Sequence, residues 1–332
     1  ALTHSAMHGA IVKGGTFIEQ ISKIKIMFFD KTGTLTQGKL AVEKIFAFDG
    51  NSEEDVLSLA GTASLLSHHP VALAISEYAQ KKNKICEPDE MEEIMGKGIM
   101  ATRNGEKIMT GKLSLFEEKG IEVNKEQLYI INEEEDRGFN ITLVGKNKEL
   151  VGFLVLADTI KPGLKNIIAE LKKLGIEKTV MLTGDNEKIA ERVAKEAGID
   201  EFHANLLPEQ KTKYLNEYMK KYKVAMVGDG VNDAPCLAIA DIGIAMGAIG
   251  SDSAIESADI AMMRDDLSQI PELIKISRKT LLTIKQNFLI WGIVNIVGFA
   301  LVFSGILFPA GAAAYNFVTD FIPIINSLRL FR

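Results

Sequence analysis

Between residues 150 and 262 the chain alternates short apolar runs with amphipathic stretches, and this rhythm limits the fold more than any other feature. The runs are 150-LVGFLVL-156, 178-KTVMLT-183, 223-KVAMVG-228, 241-DIGIAM-246 and 258-ADIAMM-263. Stretches near 162–174, 186–197, 208–221 and 231–239 lie between and around them with the period of a helix. Strands that alternate with helices predict a parallel sheet covered on both faces. An earlier run, 24-IKIMFF-29, has no helix beside it and reads as one more strand of that sheet, separated from the rest by an insertion.

The insertion, residues 39–148, has a different character. Charged helices are expected near 72–84 and 124–138, mixed with alternating strands near 40–48 and 140–146. At roughly 110 residues it is long enough to be an α+β domain of its own. Its run Glu133-Glu134-Glu135-Asp136 reads as a solvated helix face.

Composition excludes some functions. The 332 residues are 47% hydrophobic and 25% charged, with a formal net charge of -6, so no basic excess is available to neutralise nucleic-acid phosphates. The two cysteines, Cys86 and Cys236, form neither a disulfide framework nor a zinc motif, which points to a reducing compartment. Residues 1–15 lack the pattern of a signal peptide, and the chain reads as a piece of something longer.

Residues 288–308 carry no charge, and a second apolar stretch follows from Ala310 to Leu328. Each is long enough to cross a hydrocarbon core of about 30 Å. Lys275, Arg278, Lys279 and Lys285 precede the pair and Arg329 and Arg332 follow it, so both ends of a membrane hairpin are expected on the cytoplasmic side. Residues 1–23 would lead in from a preceding span, and 265–285 would form an amphipathic linker helix before two transmembrane helices in 286–332.

In an open parallel sheet, ligands gather beyond the carboxyl ends of the strands. Three strand ends carry polar signatures: Asp30, 183-TGDN-186 and 228-GDGVNDAP-235. Asp30, Asp229 and Asp233 brought together would repel one another unless a cation sat among them, and Mg²⁺ suits carboxylate oxygens shared with phosphate. Thr183 and the Gly184 N–H can bond phosphoryl oxygens, and Lys211 supplies a positive charge. A carboxylate nucleophile with these partners predicts phosphoryl transfer through an aspartyl phosphate. Two residues after the nucleophile stands Thr32, whose hydroxyl is no general acid, so the phosphoenzyme should persist.

The segments DKTGTLT (30–36), TGDN, GDGVNDAP, LPEQK (207–211) and DTIKP (158–162), in this order, closely resemble the phosphorylation domain of P-type cation-transporting ATPases. The insertion's 67-SHHP-70 and 96-GKG-98 resemble elements of the nucleotide-binding domain in the heavy-metal-transporting subgroup, although His68 stands where that subgroup has Glu. The resemblance implies a haloacid-dehalogenase-like, Rossmann-like α/β phosphorylation domain (24–38 and 149–264), an inserted nucleotide-binding domain (39–148) and a C-terminal transmembrane hairpin. Asp30, Lys31, Thr32, Thr183, Gly184 and Lys211 would then be catalytic, with Mg²⁺ held by Asp30, Thr32, Asp229 and Asp233. ATP would contact His69, Gly96, Gly98 and Gly111. The family's actuator domain and earlier spans would lie before residue 1, in a multi-pass protein of the cell membrane with cytoplasmic catalytic domains.

The last two spans of that subgroup contribute to the transport site. Asn295 lies within the first, and Asn316 and Asp320 lie four residues apart on one face of the second. Oxygen-rich ligands favour Zn²⁺, Co²⁺, Mn²⁺ or Fe²⁺ over Cu⁺ as the transported cation. A membrane-tethered phosphatase without transport and a nucleotide-sensing regulator remain as alternatives.

Overall fold

The computed structural model describes residues 9–230, 233–247 and 256–331, so Val231 and Asn232 of the 228–235 motif lie outside the described residues. Its strands in chain order are β1 (Ala10–Val12), β2 (Ile26–Asp30), β3 (Thr36–Ala47), β4 (Glu90–Ile94), β5 (Gly98–Arg103), β6 (Glu106–Gly111), β7 (Asn140–Lys146), β8 (Glu149–Ile160), β9 (Lys178–Leu182), β10 (Glu201–His203), β11 (Val224–Gly228), β12 (Ile242–Ala245) and β13 (Ile260–Met262). The chain divides into two compact units. One gathers the described residues up to Asp30, then 165–180 and everything from Leu207 on; the other holds 31–164 and 181–206.

A seven-stranded sheet runs in the order β1-β13-β12-β11-β2-β9-β10, and β9 is the strand along which the chain passes from the first unit into the second. Strand β2 lies parallel to β11, with Met226 opposite Phe28 and Val227 opposite Phe29, and β11 lies parallel to β12. Every residue of β2 is buried, and Phe28 and Phe29 are among the largest wholly buried side chains. A strand covered on both faces has no polar side to show, which is why 26–29 reads as a continuous apolar run. The edge strand β1 runs antiparallel to β13, with Ala10 opposite Met262.

The second unit is built on a six-stranded sheet, β3-β8-β7-β6-β5-β4, antiparallel throughout. Here the expectation for 150–156 fails: that run is β8 of this antiparallel sheet and no part of the parallel one. Its neighbours explain the misreading. Val151, Leu154 and Leu156 pack on one face with Val56, Leu57 and Ala60 of the helix Glu53–Ser64 and Ile75 of the helix Pro70–Lys81. Phe153 and Val155 pack on the other with Leu115, Phe116 and Ile131. Helices cover both faces of β8, so its residues 150–157 are apolar whatever the direction of its partners.

The insertion also extends further than 39–148. Its sheet takes residues 36 to 160, and the helix Glu187–Ala197 with β10 belongs to the same unit. The reason is a tight junction: a Cβ on Gly138 would stand 2.3 Å from the Lys188 carbonyl oxygen, Arg192 Nε donates to the Gly138 carbonyl at 3.1 Å, and the Arg192 guanidinium lies 4.7 Å from the centre of the Phe139 ring. The acidic run is likewise not wholly solvated. Glu134 is 3% exposed and pairs with Lys44 and Arg137, because one face of the helix Lys125–Asp136 turns toward the sheet.

At the C-terminal end the expected linker and first span are one continuous helix, Gln269–Phe303. No Gly or Pro interrupts residues 272–291, and the Thr280 and Thr283 hydroxyls donate back to carbonyls one turn earlier. Its first turns are buried at Ile270, Leu273 and Ile274, whereas Phe288, Leu289, Ile296 and Phe299 are exposed. By length and composition it is the helix among the described residues able to cross a membrane. The expected second span instead forms two shorter helices, Pro309–Thr319 and Phe321–Ser327, divided at Asp320. Pro323 has no N–H to offer the Thr319 carbonyl, which weakens the ladder there. The backbone at Asp320 stays right-handed helical, with φ -63 and ψ -22, so the break leaves the direction of the chain nearly unchanged.

Candidate active site

In the first unit, β2 delivers Asp30 at its carboxyl end, buried to 6% exposure. Lys211 comes from the first turn of the helix Pro208–Met219, whose start is set by Pro208 and by Gln210 Oε1 accepting from the Leu207 N–H at 2.8 Å. Lys211 Nζ donates to Asp30 Oδ1 at 2.5 Å and to Asp233 Oδ1 at 2.9 Å. Asp233 heads the helix Ala234–Ile239 and is 1% exposed. Gly228, at the end of β11, lets it in: a Cβ there would lie 3.1 Å from the Asp233 side chain.

The electrostatics follow from this packing. Burial, then Asp233, raise the Asp30 carboxyl to about 7 against the pull of Lys211, and Asp229 adds to the rise. Burial also raises Asp233. Burial would depress Lys211, but Asp30 and Asp233 outweigh it and push its pKa up. The nearby Cys236 thiol, desolvated and facing Asp233, is pushed up to about 12 and is therefore no nucleophile.

Two buried carboxylates, Asp30 and Asp233, face the Lys211 ammonium and leave an excess of negative charge, and Asp233 Oδ2 is buried without a hydrogen-bond partner. Among the described residues no ready-made cluster of three or more His, Cys, Asp or Glu side chains could hold a metal ion, and Lys211 stands between two of the candidate ligands. The donor set still fits Mg²⁺: hard carboxylate oxygens, one unsatisfied, with surplus negative charge.

In the second unit the chain continues from Asp30 into the turn Lys31–Leu35, where Gly33 adopts φ 71 and Thr32 is exposed. Lys31 is buried; its Nζ lies 2.7 Å from Asp185 and 3.4 Å from Asp158. Thr36 donates to the same Asp158 oxygen at 2.6 Å, and Lys161 Nζ donates to the Gly33 carbonyl at 3.0 Å. Thr183 is buried and its Oγ1 accepts from the Asp185 N–H at 3.1 Å, while Gly184 is exposed. Asp158, Lys161 and Asp185 were given no role by sequence reasoning, although DTIKP and TGDN carried the signal.

Also in the second unit, His69 caps the helix Pro70–Lys81, its Nδ1 accepting from the Val71 N–H at 3.3 Å, and the residue is exposed. Gly98 and Gly111 are cross-strand partners in β5 and β6. A Cβ on Gly98 would come within 2.2 Å of the Thr110 carbonyl oxygen, and one on Gly111 within 2.3 Å of the Lys97 carbonyl oxygen. Close contact between the two strands thus requires both glycines independently of any ligand. Gly96, at φ 73, shapes the turn before β5 and faces open space.

In the hairpin, Asn295, Asn316 and Asp320 line one cavity of about 140 Å³, with Trp291, Thr319 and Pro323. Asn295 Nδ2 donates to the Trp291 carbonyl at 2.7 Å, which leaves its amide oxygen available.

Comparison with known proteins identifies the family. Residues 24–241 match the family of haloacid dehalogenase-like hydrolases. The cadmium-transporting ATPase of Staphylococcus aureus is 37% identical over 344 residues, covering 100% of this chain and 46% of that protein. The copper-exporting P-type ATPase B of Archaeoglobus fulgidus is 38% identical over 309 residues, covering 92% of this chain and 44% of that protein. A solved zinc-transporting PIB-type ATPase in its E2.Pi state superposes with a TM-score of 0.92 at 36% identity, over 100% of this chain and 54% of that one. The chain spans about half the length of the curated relatives it matches. A haloacid dehalogenase-like catalytic core, a long apolar C-terminal helix and likeness along the whole chain place it among the heavy-metal-transporting P-type ATPases.

Proposed function

We propose that this chain is the catalytic part, with the last membrane hairpin, of an ATP-driven pump that moves a divalent metal cation across a membrane. The observation that carries the reading is the buried Asp30 at the end of β2, bridged by Lys211 to Asp233. An Asp30 carboxylate oxygen attacks the γ-phosphorus of ATP, the bond to the β-phosphate bridging oxygen breaks, ADP leaves, and water later hydrolyses the acyl phosphate. Asp30, Asp229 and Asp233, with Thr32, would hold Mg²⁺, which when bound neutralises charge on the phosphoryl oxygens. Lys211 offsets part of the rise that burial and Asp233 impose on Asp30 and so favours its ionised form. Thr183 and Gly184 would bond the phosphoryl group, and His69, Gly96, Gly98 and Gly111 would border the nucleotide.

The hairpin cavity would take the cargo. Its amides, hydroxyl and carboxylate are oxygen donors that favour Zn²⁺, Co²⁺, Mn²⁺ or Fe²⁺ over Cu⁺. The named relatives carry cadmium, copper and zinc, so likeness alone does not choose among ions. The reading places the protein in the cell membrane as a multi-pass pump with its catalytic units in the cytoplasm, completed by an actuator domain and further spans.

The test is acid-quenched labelling with γ-labelled ATP and Mg²⁺. A hydroxylamine-sensitive label lost in Asp30→Asn is expected. Rapid hydrolysis of small phosphomonoesters with no stable label would instead favour a membrane-tethered phosphatase.

A further inference from the structure

The hairpin cavity is bracketed by two clamps that no transport role accounts for. Toward the 303 end of the long helix, Tyr315 Oη donates to the Val294 carbonyl at 2.9 Å, and a Cβ on Gly298 would stand 2.9 Å from the Tyr315 ring. At the opposite end of the cavity, Asn287 Nδ2 donates to Ser327 Oγ at 2.8 Å, and Asn326 Nδ2 donates to Asn287 Oδ1 at 2.8 Å. Ser327 Oγ in turn donates at 2.8 Å to the carbonyl of Pro323, itself a wall of the cavity.

Sequence spacing puts clamp and cavity on the same surfaces. Residues 287, 291, 294, 295 and 298 follow one stripe of the first helix, and 316, 319, 320, 323 and 327 follow one stripe of the segment facing it. The ladder of the second segment is interrupted at Asp320, between the two clamps, so backbone bonds hold the register of its two ends less firmly than in an unbroken helix. Side-chain bonds between the helices must supply that register. In an apolar medium packing is weakly directional, whereas an amide pair fixes rotation and height together.

We propose that Asn287 is a positioning residue for cation binding: its paired bonds to Ser327 and Asn326 hold the helix ends in the register that sets Asn295 opposite Asn316 and Asp320. The proposal rests on the reading that this cavity receives the transported cation. Asn287 itself does not line the cavity. Its loss therefore acts on how often the ligands are aligned, and so on apparent affinity for metal, while the Asp30 chemistry is untouched.

The test uses the full-length protein that carries this chain, reconstituted in lipid, with ATPase stimulation titrated separately against Zn²⁺, Cd²⁺, Co²⁺ and Mn²⁺. Asn287→Leu should raise the half-saturating concentration of the stimulating metal by roughly three- to tenfold, as expected for one or two interhelical hydrogen bonds. Ser327→Ala, which removes one of the two Asn287 bonds together with the Ser327 donation to the Pro323 carbonyl, should give a smaller rise in the same direction. The exchange Asn287→Ser with Ser327→Asn should recover most of the loss, a rescue that a general packing defect would not show. Phosphorylation of Asp30 by inorganic phosphate without transported metal reports intact folding and should stay at the wild-type level. If Asn287→Leu fails this folding check, Ser327→Ala and the exchange variant decide. Half-saturation within twofold of wild type in every folded variant, alongside loss of stimulation in Asp320→Asn, overturns the positioning role alone. Full stimulation in Asp320→Asn overturns the cargo-site reading beneath it.

Discussion

Lys211 Nζ lies 2.5 Å from Asp30 Oδ1, and both side chains are nine-tenths buried or nearly so. The same ammonium holds Asp233 at 2.9 Å, so one cation stabilises two carboxylates that would otherwise repel each other away from solvent. Lys211→Ala should lose phosphoenzyme formation and cost on the order of 3–5 kcal/mol of stability at pH 8 in the absence of Mg²⁺, the penalty of leaving buried charge unpaired. Lys211→Arg should not restore phosphorylation, because a planar guanidinium does not reproduce a point charge between two oxygens. Thermal unfolding and acid-stable label measure the two effects, and a normal label in Lys211→Ala would refute the bridge's role.

A carboxyl raised to about 7 competes for its proton with Mg²⁺. Between the unfolded value near 3.8 and about 7, the metal-free folded protein binds more protons at Asp30 than the unfolded chain does. That contribution to stability is present below the lower value and disappears as pH rises through the upper one. Metal-free protein should therefore lose stability as pH rises from 5 to 8, and Asp30→Asn should flatten this slope. Apparent Mg²⁺ affinity should fall toward acid pH, approaching about tenfold per unit below pH 6 for one released proton and levelling off above about 7. Isothermal titration at pH 6, 7 and 8 tests this, and an affinity independent of pH would count against it.

Gly98 and His69 should separate structure from ligand binding. Gly98→Ala places a methyl group 2.2 Å from a backbone oxygen at φ +155, and should cost about 3 kcal/mol or more. Its loss of ATP binding would then follow loss of fold. His69→Ala removes one helix cap, a cost of about 1 kcal/mol, and should weaken ATP binding in a protein that stays folded. Chemical-shift changes on adding ATP, read with melting curves, distinguish the two variants; equal ATP affinity in His69→Ala and wild type would remove His69 from the nucleotide site.

Glu134 should behave as a structural carboxylate. It is buried while its partners Lys44 and Arg137 are about half exposed. Glu134→Ala should cost about 1–3 kcal/mol, and Glu134→Gln less, with no effect on phosphorylation per folded molecule. Urea unfolding of both variants checks the order.

Asp30, Lys211, Asp229 and Asp233 were legible as a chemical set, because carboxylates and a lysine at the ends of apolar runs have few structural uses. The hairpin was equally legible in one respect: the 3.6-residue period aligns Asn295, Asn316 and Asp320 with the faces that meet. Other features depended on neighbours distant in sequence. Whether 149–160 joined the parallel or the antiparallel sheet could not be read from its residues, since burial on both faces selects the same side chains in either case. Glu134 looked solvated until Lys44 and Arg137 met it. Gly98 and Gly111 looked like nucleotide contacts, and the pairing of β5 with β6 supplied a separate steric reason for both. Local sequence determined where strands end and which groups stand there, because hydrophobic period and turn chemistry are short-range. Tertiary structure decided which of those groups share one ammonium or one cavity, because burial and electrostatic coupling belong to residues brought together by the fold.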